Sequence, residues 1–226
     1  MRIVLAALLA AAPAVQAARP FVTDDARVVD PGSCQIETFL KRQRKFHEHE
    51  FWFLPACNPW ERVELTVGGN RVDSAQPGDS RTVIAQVKTL LKPLDTNGSG
   101  FALTLGIAQV QPVQAPSATS PYLNGIGSFS LFDDRFVIHS NLGVVRDKQS
   151  DLARGTWGLG AEVLLLAPRL YGIIEGYGQR KDKPTLHAGL RIWIVPNRMQ
   201  ADATLGQQSA TPLDRRFGTI GLRVLW

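Results

Sequence analysis

The sequence has little of what a helical or nucleotide-binding protein requires. Its longest apolar run, residues 3–12, is shorter than the roughly 18 apolar residues of a membrane-spanning helix. No segment shows a clear helical repeat, and no glycine-rich loop precedes a helix. Nothing therefore supports a nucleotide cofactor or a nucleic-acid partner, and we expect neither.

The N-terminus is typical of an exported protein. Residues 1–17, MRIVLAALLAAAPAVQA, combine an early Arg2, a short apolar run and small residues before a cut after Ala17, as in a secretory signal peptide. The formal net charge is +5, which in an exported protein favours contact with anionic lipid or polysaccharide. We expect a leader over residues 18–32 and one folded domain over residues 33–226.

Alternation of apolar and polar residues dominates the rest of the chain. The alternating segments are 33–43, 49–57, 60–71, 81–91, 100–110, 122–132, 135–146, 155–166, 170–179, 185–195, 199–207 and 216–226. A series of roughly ten-residue segments with this period is the signature of a membrane-spanning barrel. The sequence therefore predicts an all-β fold, an antiparallel transmembrane β-barrel of about 12 strands, rather than a soluble β-sandwich.

The connections between these segments support the same fold. Long polar loops such as QPVQAPSATSP alternate with short turns such as NP, DDR and PN. Outer-membrane barrels have long extracellular loops and short periplasmic turns. An even strand number then places both chain ends in the periplasm and lets the last strand close against the first.

The last segment, RFGTIGLRVLW, resembles the C-terminal signal of bacterial outer-membrane barrels. In that signal an alternating strand ends on an aromatic residue, usually Phe. Here Leu222, Val224 and Trp226 share one face, and Trp226 replaces the usual Phe. The resemblance implies recognition by the barrel-assembly machinery and a location in the outer membrane of a Gram-negative bacterium.

The start of the expected mature chain, ARPFVTDDARVVDPGSCQIETF, carries a second resemblance. It is similar to the outer-membrane barrel family of transporters assigned to the meta-pathway of phenol degradation. The matching residues are Arg19, Pro20, Thr23, Asp24, Asp25, Ala26, Pro31 and Gly32. The resemblance implies passage of small hydrophobic compounds. The acidic residues before the first strand fit either a small plug in the barrel mouth or a flexible leader.

Charged side chains within strands should point into the barrel, because Arg or Lys on the lipid face costs roughly 2–4 kcal/mol at the membrane midplane. The predicted lumen-lining residues are Lys88, His139, Glu162, Glu175, His187, Arg191 and Arg223. A two-residue turn at Pro168 and Arg169 would place Glu162 opposite Glu175, with Arg191 compensating their charge. Such a cluster could close the barrel as a salt-bridge network or form a charged constriction.

The two cysteines are placed to form a disulfide. If the first hairpin turns near Lys45 and Phe46, residues whose numbers sum to about 91 face each other. Cys34 and Cys57 meet this condition, and opposed strand residues lie close enough for a bridge. The predicted oxidising compartment favours that bridge.

Two patterns resemble catalytic or metal sites without completing one. His139 and Ser140 are adjacent in a strand and therefore point to opposite faces, so they cannot form a catalytic dyad. The HEHE run at residues 47–50 lacks a third strong ligand group nearby in the sequence. We expect no catalytic residue and no metal.

Two functions follow from these features. The first is passive passage of small molecules, hydrophobic or aromatic ones included, through an outer-membrane barrel. The second is a closed structural barrel that binds lipopolysaccharide in a lipid membrane without transport. Its basic loop residues would be Arg146, Lys148, Arg180, Lys181 and Lys183.

Overall fold

The computed structural model describes residues 22–43, 47–75, 78–113, 116–147, 151–209 and 216–226. The predicted signal peptide lies outside these residues. The strands are β1 (Cys34–Gln43), β2 (Glu48–Cys57), β3 (Val63–Asp73), β4 (Ser80–Lys92), β5 (Ser99–Pro112), β6 (Ala118–Leu131), β7 (Phe136–Asp147), β8 (Leu152–Leu166), β9 (Leu170–Gln179), β10 (Thr185–Val195), β11 (Met199–Gln208) and β12 (Phe217–Leu225).

These strands form one closed antiparallel barrel. Each strand pairs with its neighbours in sequence, and β1 pairs with β12. The closure continues past the strands, because Cys34 N donates to Trp226 O at 2.9 Å and Trp226 N donates to Cys34 O at 3.0 Å. The predicted twelve-stranded antiparallel barrel is confirmed. Among the described residues, no helix is long and apolar enough to cross a membrane.

The two faces of the wall differ in chemistry, as the alternation predicts. Large apolar side chains project outward, with Leu142 and Leu205 each 74% exposed. Carboxylates, amides, hydroxyls and cationic groups alternate with them and are buried inside. An apolar outer face around a polar interior is the pattern of a membrane barrel.

The first hairpin has the predicted register. Cys34 faces Cys57 across β1 and β2, their Cα atoms are 4.0 Å apart, and the two residues form a disulfide. The prediction of this bridge is confirmed. It lies at the end of the barrel where the C-terminus lies and where the turns 58–62, 93–98, 132–135, 167–169 and 196–198 are short.

The predicted register of β8 and β9 is wrong. Glu162 faces Ile173, and Glu175 faces Gly160, so the two carboxylates are not opposed. The difference has two causes: the turn has three residues, 167–169, so Leu166 pairs with Leu170, and an irregularity between Leu164 and Leu166 then shifts the later pairs by one more residue. A bulge places an extra residue on one strand and displaces every later pair, which counting from a turn cannot detect.

Candidate functional site in the barrel interior

Residues 22–32, here called the inner segment, lie inside the barrel. In the described part of the chain none of them belongs to a strand. Ala26, Val29 and Asp25 are nevertheless 0%, 2% and 4% exposed. The interior of the barrel therefore contains a stretch of chain from outside the wall, and its polar groups must find partners there.

The N-terminal part of the inner segment is bound through its main chain. Val22 N and Thr23 N donate to the two carboxylate oxygens of Glu175, each at 2.8 Å. Asp24 N donates to Asn141 Oδ1 at 2.7 Å, and Asn141 Nδ2 donates to Asp24 O at 2.9 Å. Asn141 therefore satisfies both polar groups of Asp24's main chain, as a neighbouring strand would.

Two further wall side chains accept hydrogen bonds from main-chain amides nearer the C-terminal end of the inner segment. Ala26 N donates to Ser128 Oγ at 2.8 Å, and Val29 N donates to Glu64 Oε2 at 3.0 Å. An unpaired buried amide is costly, so these acceptors stabilise the inner segment in this position.

An ion pair fixes the acidic part of the inner segment. Lys88 Nζ lies 2.8 Å from Asp24 Oδ1 and 3.7 Å from Asp25 Oδ1, and Lys88 is only 3% exposed. A buried cation must be paired because it has lost its hydration. The inner segment thus supplies the nearest counter-charges of a wall lysine.

The base of the inner segment is attached to the turn between β2 and β3. Asn58 Nδ2 donates to Val29 O at 2.6 Å, and Gly32 N donates to Asn58 O at 2.8 Å. Asn58 N also donates to Ser33 O at 3.0 Å. Asn58 directly follows the disulfide-bonded Cys57, so the bridge and this turn together fix where the inner segment enters the barrel.

An inward-facing glycine makes room for the inner segment. A Cβ atom on Gly158 would lie 2.7 Å from Thr23 Oγ1 and 3.4 Å from Thr23 Cβ. The first distance is too short for two unbonded heavy atoms. Close approach of the inner segment to β8 therefore depends on the missing side chain at position 158.

Two further predicted lumen residues, Glu162 and Arg191, belong to a second network on the wall, whereas His187 contacts Glu175. Arg191 binds Glu162 and also donates through Nε to Asp202 Oδ1 at 2.6 Å. His187 Nδ1 lies 2.8 Å from Glu175 Oε1. Arg191 therefore compensates the charge of Glu162, as expected for that carboxylate, whereas Glu175 lies beside His187.

Arg223 lies on the inner face near the C-terminal end of the barrel. Its Nε donates to Gln35 Oε1 at 2.6 Å and lies 3.4 Å from Glu37 Oε1. Like the other predicted lumen residues, it points into the barrel, but it contacts β1 rather than the inner segment.

The structure separates His139 from Ser140 and brings His139 to another serine. Ser140 Oγ donates to Gly127 O at 3.4 Å, whereas His139 Nδ1 lies 2.8 Å from Ser128 Oγ. His139 Nε2 lies 3.7 Å from a Glu162 oxygen. Because Ser128 Oγ also accepts the Ala26 amide and is fully buried, it anchors the inner segment in this structure.

Two small cavities lie beside the inner segment. A cavity of about 30 Å³ lies between it and the wall residues Glu37, Glu64 and Lys88, and another of about 60 Å³ lies beside Tyr122 and Asn141. Since a water molecule needs roughly 10–15 Å³ on this measure, each cavity has room for only a few waters.

Sequence reasoning identified the charged wall residues by alternation but missed the neutral partners Asn141, Ser128 and Asn58 as anchors. The inward position of Asn141 and Ser128 follows from the same alternation, whereas Asn58 lies in a turn, where alternation gives no information. Asn141 and Ser128 each contact a residue of the inner segment that lies more than 100 positions away in the sequence. No local pattern reveals such pairs. The described residues contain no group of three or more His, Cys, Asp and Glu placed to hold a metal ion.

Comparison with protein families places almost the whole chain in one group. Residues 4–226 match the family described as "Uncharacterised conserved protein UCP029691". The chain belongs to this family. The resemblance of the N-terminus to the phenol-pathway transporters stays a prediction, since the matching family is a different one. The search among curated proteins found no match.

Solved structures share the fold at low sequence identity. The KdgM porin, solved in complex with disordered oligogalacturonate, has a TM-score of 0.60 and 12% identity, over 84% of this chain and 98% of that one. The NanC porin has a TM-score of 0.58 and 10% identity, over 84% of this chain and 98% of that one. Omp33 of Acinetobacter baumannii has a TM-score of 0.54 and 8% identity, over 86% of this chain and 98% of that one. These similarities confirm an outer-membrane barrel fold.

Proposed function

We propose that this protein is an outer-membrane channel for passive passage of small solutes, and that the inner segment closes it in the present structure. The observation that carries the proposal is the attachment of that segment. It fills a polar lumen, yet it is held there by side-chain hydrogen bonds and an ion pair rather than by strand pairing. The short turns and both ends of the barrel domain face the periplasm.

The barrel wall is complete without the inner segment. All twelve strands pair with one another, so departure of residues 22–32 leaves no unpaired strand edge. Most wall groups that it vacates are carboxylates, amides, hydroxyls and a lysine, which water can solvate. Opening also separates Ala26 from the apolar side chains of Ala102, Ile126 and Leu90, so its free-energy cost is the loss of that small cluster together with contacts that solvent or a solute can replace.

The comparison structures support this proposal through their fold. KdgM and NanC are porins, and their folds match that of this chain with TM-scores of 0.60 and 0.58. A fold hosts more than one function, so the argument rests on the lumen of this chain. Passage of a hydrophobic or aromatic solute stays a prediction, because most groups that meet the inner segment are charged or polar and the apolar contact is limited to Ala26 with Ala102, Ile126 and Leu90.

The test is single-channel conductance of the full chain in planar bilayers. We compare the wild type with a released variant, Thr23→Pro/Asp24→Pro. The two prolines remove the amide donors to Glu175 and Asn141, and the second removes the carboxylate that pairs with Lys88. Asp30→Asn is the matched control, because it also removes one negative charge from the inner segment but at an exposed position.

The released variant should conduct steadily, whereas the wild type and D30N should be mostly closed. Equal, steady conductance in all three would show that the inner segment does not obstruct the lumen. Silence in all three would favour the second function.

That second function, a closed barrel that binds lipopolysaccharide, has one specific observation in its favour. Arg71 and Arg81 face each other on adjacent strands, and both are exposed. Asp73 pairs with Arg71 at 2.8 Å, and a phosphate between the two guanidinium groups would neutralise the charge that this ion pair leaves on Arg81. If this is the function, Arg71→Gln/Arg81→Gln should reduce lipopolysaccharide retained through purification while the wild type stays silent in bilayers.

A further inference from the structure

We infer that the lumen surface beneath Thr23 and Asp24 is a binding site for short peptides with a free amino terminus and an acidic second residue. This inference rests on the proposed function, because a ligand reaches the site only when the inner segment leaves it. The inner segment then acts as an internal occupant whose polar groups show what the site recognises.

The first element of the site is the Glu175 carboxylate. It is 2% exposed, and its two oxygens accept the Val22 and Thr23 amides at 2.8 Å each. Once vacated, it is a buried anion whose remaining partner is His187 Nδ1 at 2.8 Å. An ammonium group carries three donors and a full positive charge, so it satisfies this carboxylate better than two amides.

The second element, Asn141, distinguishes a peptide from other solutes. Its side chain accepts from Asp24 N at 2.7 Å and donates to Asp24 O at 2.9 Å. A ligand must therefore offer a donor and an acceptor in the arrangement of an amino-acid main chain. In a dipeptide, the peptide N–H and the terminal carboxylate supply this pair.

The third element is Lys88, which is 3% exposed and binds Asp24 Oδ1 at 2.8 Å. When the inner segment leaves, Lys88 loses both Asp24 and Asp25. The directly opposed wall residue is Glu64, which also loses the Val29 amide. A carboxylate on the ligand replaces that of Asp24, the closer of the two counter-charges that Lys88 loses. This replacement favours binding, because a buried cation is strongly disfavoured when its counter-charges are removed.

The spacing of these three elements matches one chemical class. Thr23 and Asp24 are consecutive, so a dipeptide Xaa-Asp reproduces the donor to Glu175, the main-chain pair to Asn141 and the carboxylate to Lys88. Its ammonium replaces the Thr23 amide nitrogen. Gly158 lies against the Thr23 side chain, so the first residue must be small, such as Ala, Ser or Thr.

Calorimetric titration of the refolded full-length released variant, T23P/D24P, with Ala-Asp tests the inference. Ala-Asn removes only the carboxylate for Lys88, and N-acetyl-Ala-Asp removes only the ammonium for Glu175. Hydrogen bonds to charged groups are strong enough that each change should weaken binding at least about tenfold. A second released variant, Asp24→Ala/Asp25→Ala, alters only side chains of the inner segment and should give the same order of affinities.

A wall substitution assigns the effect to its residue. Lys88→Gln in the released variant should abolish the difference between Ala-Asp and Ala-Asn, whereas Lys92→Gln, on an exposed lysine of the same strand, should preserve it. Equal affinities for the three ligands in both released variants, or no binding, would overturn the inference. Calorimetry measures binding independently of conductance, so the two proposals can fail separately. Dipeptide binding by a barrel that does not conduct would contradict only the proposed channel. Conductance without dipeptide binding would contradict only this inference.

Discussion

Asp24 Oδ1 lies 2.8 Å from Lys88 Nζ, and this contact joins the chain before the first strand to the inner face of β4. The pair is largely excluded from solvent, with the Lys88 side chain 3% and the Asp24 side chain 19% exposed. It is also the closest ion pair between the inner segment and the wall. The position of the inner segment should therefore depend on Lys88 more than on any exposed charge.

Replacing Lys88 should favour the open channel. Lys88→Gln removes the ammonium that lies 2.8 Å from Asp24 Oδ1 and 3.7 Å from Asp25 Oδ1, which favours departure of the inner segment into water. We expect the open probability in planar bilayers to rise at least about tenfold. Lys92→Gln is the control on the same strand, and an open probability that rises equally in both would remove the basis for this assignment.

Substitutions of Glu175 and Glu162 should affect conductance differently, although both residues are buried carboxylates on neighbouring strands. Glu175→Gln weakens the acceptor of the Val22 and Thr23 amides and should increase opening. Glu162→Gln removes one of two carboxylates from Arg191, which is a contact within the wall. It should lower resistance to urea unfolding without increasing conductance. Identical conductance traces for the two variants would contradict the division into two networks.

The success and the failure of register prediction have the same origin. Counting from a turn located Cys34 opposite Cys57 because β1 and β2 pair without interruption. The same counting failed for Glu162 and Glu175 because the turn has three residues rather than two and because the pairing shifts again between Leu164 and Leu166. Alternation determines the face of each residue, but a bulge depends on local backbone geometry that alternation does not contain.

The inner segment shows a second limit of sequence reasoning. The acidic residues before β1 were recognisable, and both a plug and a flexible leader fitted them. The choice between these depends on contacts such as Val22 with Glu175, across 153 positions. Contacts of that range arise only when the whole barrel has closed, and no periodicity in the chain encodes them.

The disulfide should stabilise the barrel at the base of the inner segment. Cys34 and Cys57 are separated by 23 positions, and closing a loop of that size contributes roughly 3 kcal/mol in the chain-entropy account. Cys34→Ser/Cys57→Ser should lower the free energy of urea unfolding in lipid vesicles by about that amount. An unchanged unfolding midpoint, with the bridge verified in the wild type by mass spectrometry, would contradict the prediction.

The terminal aromatic residue should act in assembly rather than in folded stability. The main chain of Trp226 closes the barrel through two hydrogen bonds to Cys34, which any residue could make, and its side chain is 59% exposed. Trp226→Asp should therefore reduce the yield of membrane-inserted protein severely, and Trp226→Phe should preserve it. Normal insertion of W226D in cells would contradict the role of Leu222, Val224 and Trp226 as an assembly signal.

The central claim is that the inner segment lies in the lumen and closes it, and a reversible covalent lock tests this most directly. Thr23 Cβ lies 3.4 Å from the position of a Cβ on Gly158, close to the separation in a disulfide. In the full chain carrying Thr23→Cys/Gly158→Cys, the two introduced thiols should become linked on oxidation. Single-channel recording of this variant in a Cys34→Ser/Cys57→Ser background should then show no openings until a reductant is added, whereas the same reductant should leave the C34S/C57S chain unchanged. Thiols that stay unlinked and open to labelling, or equal conductance before and after reduction, would contradict the account.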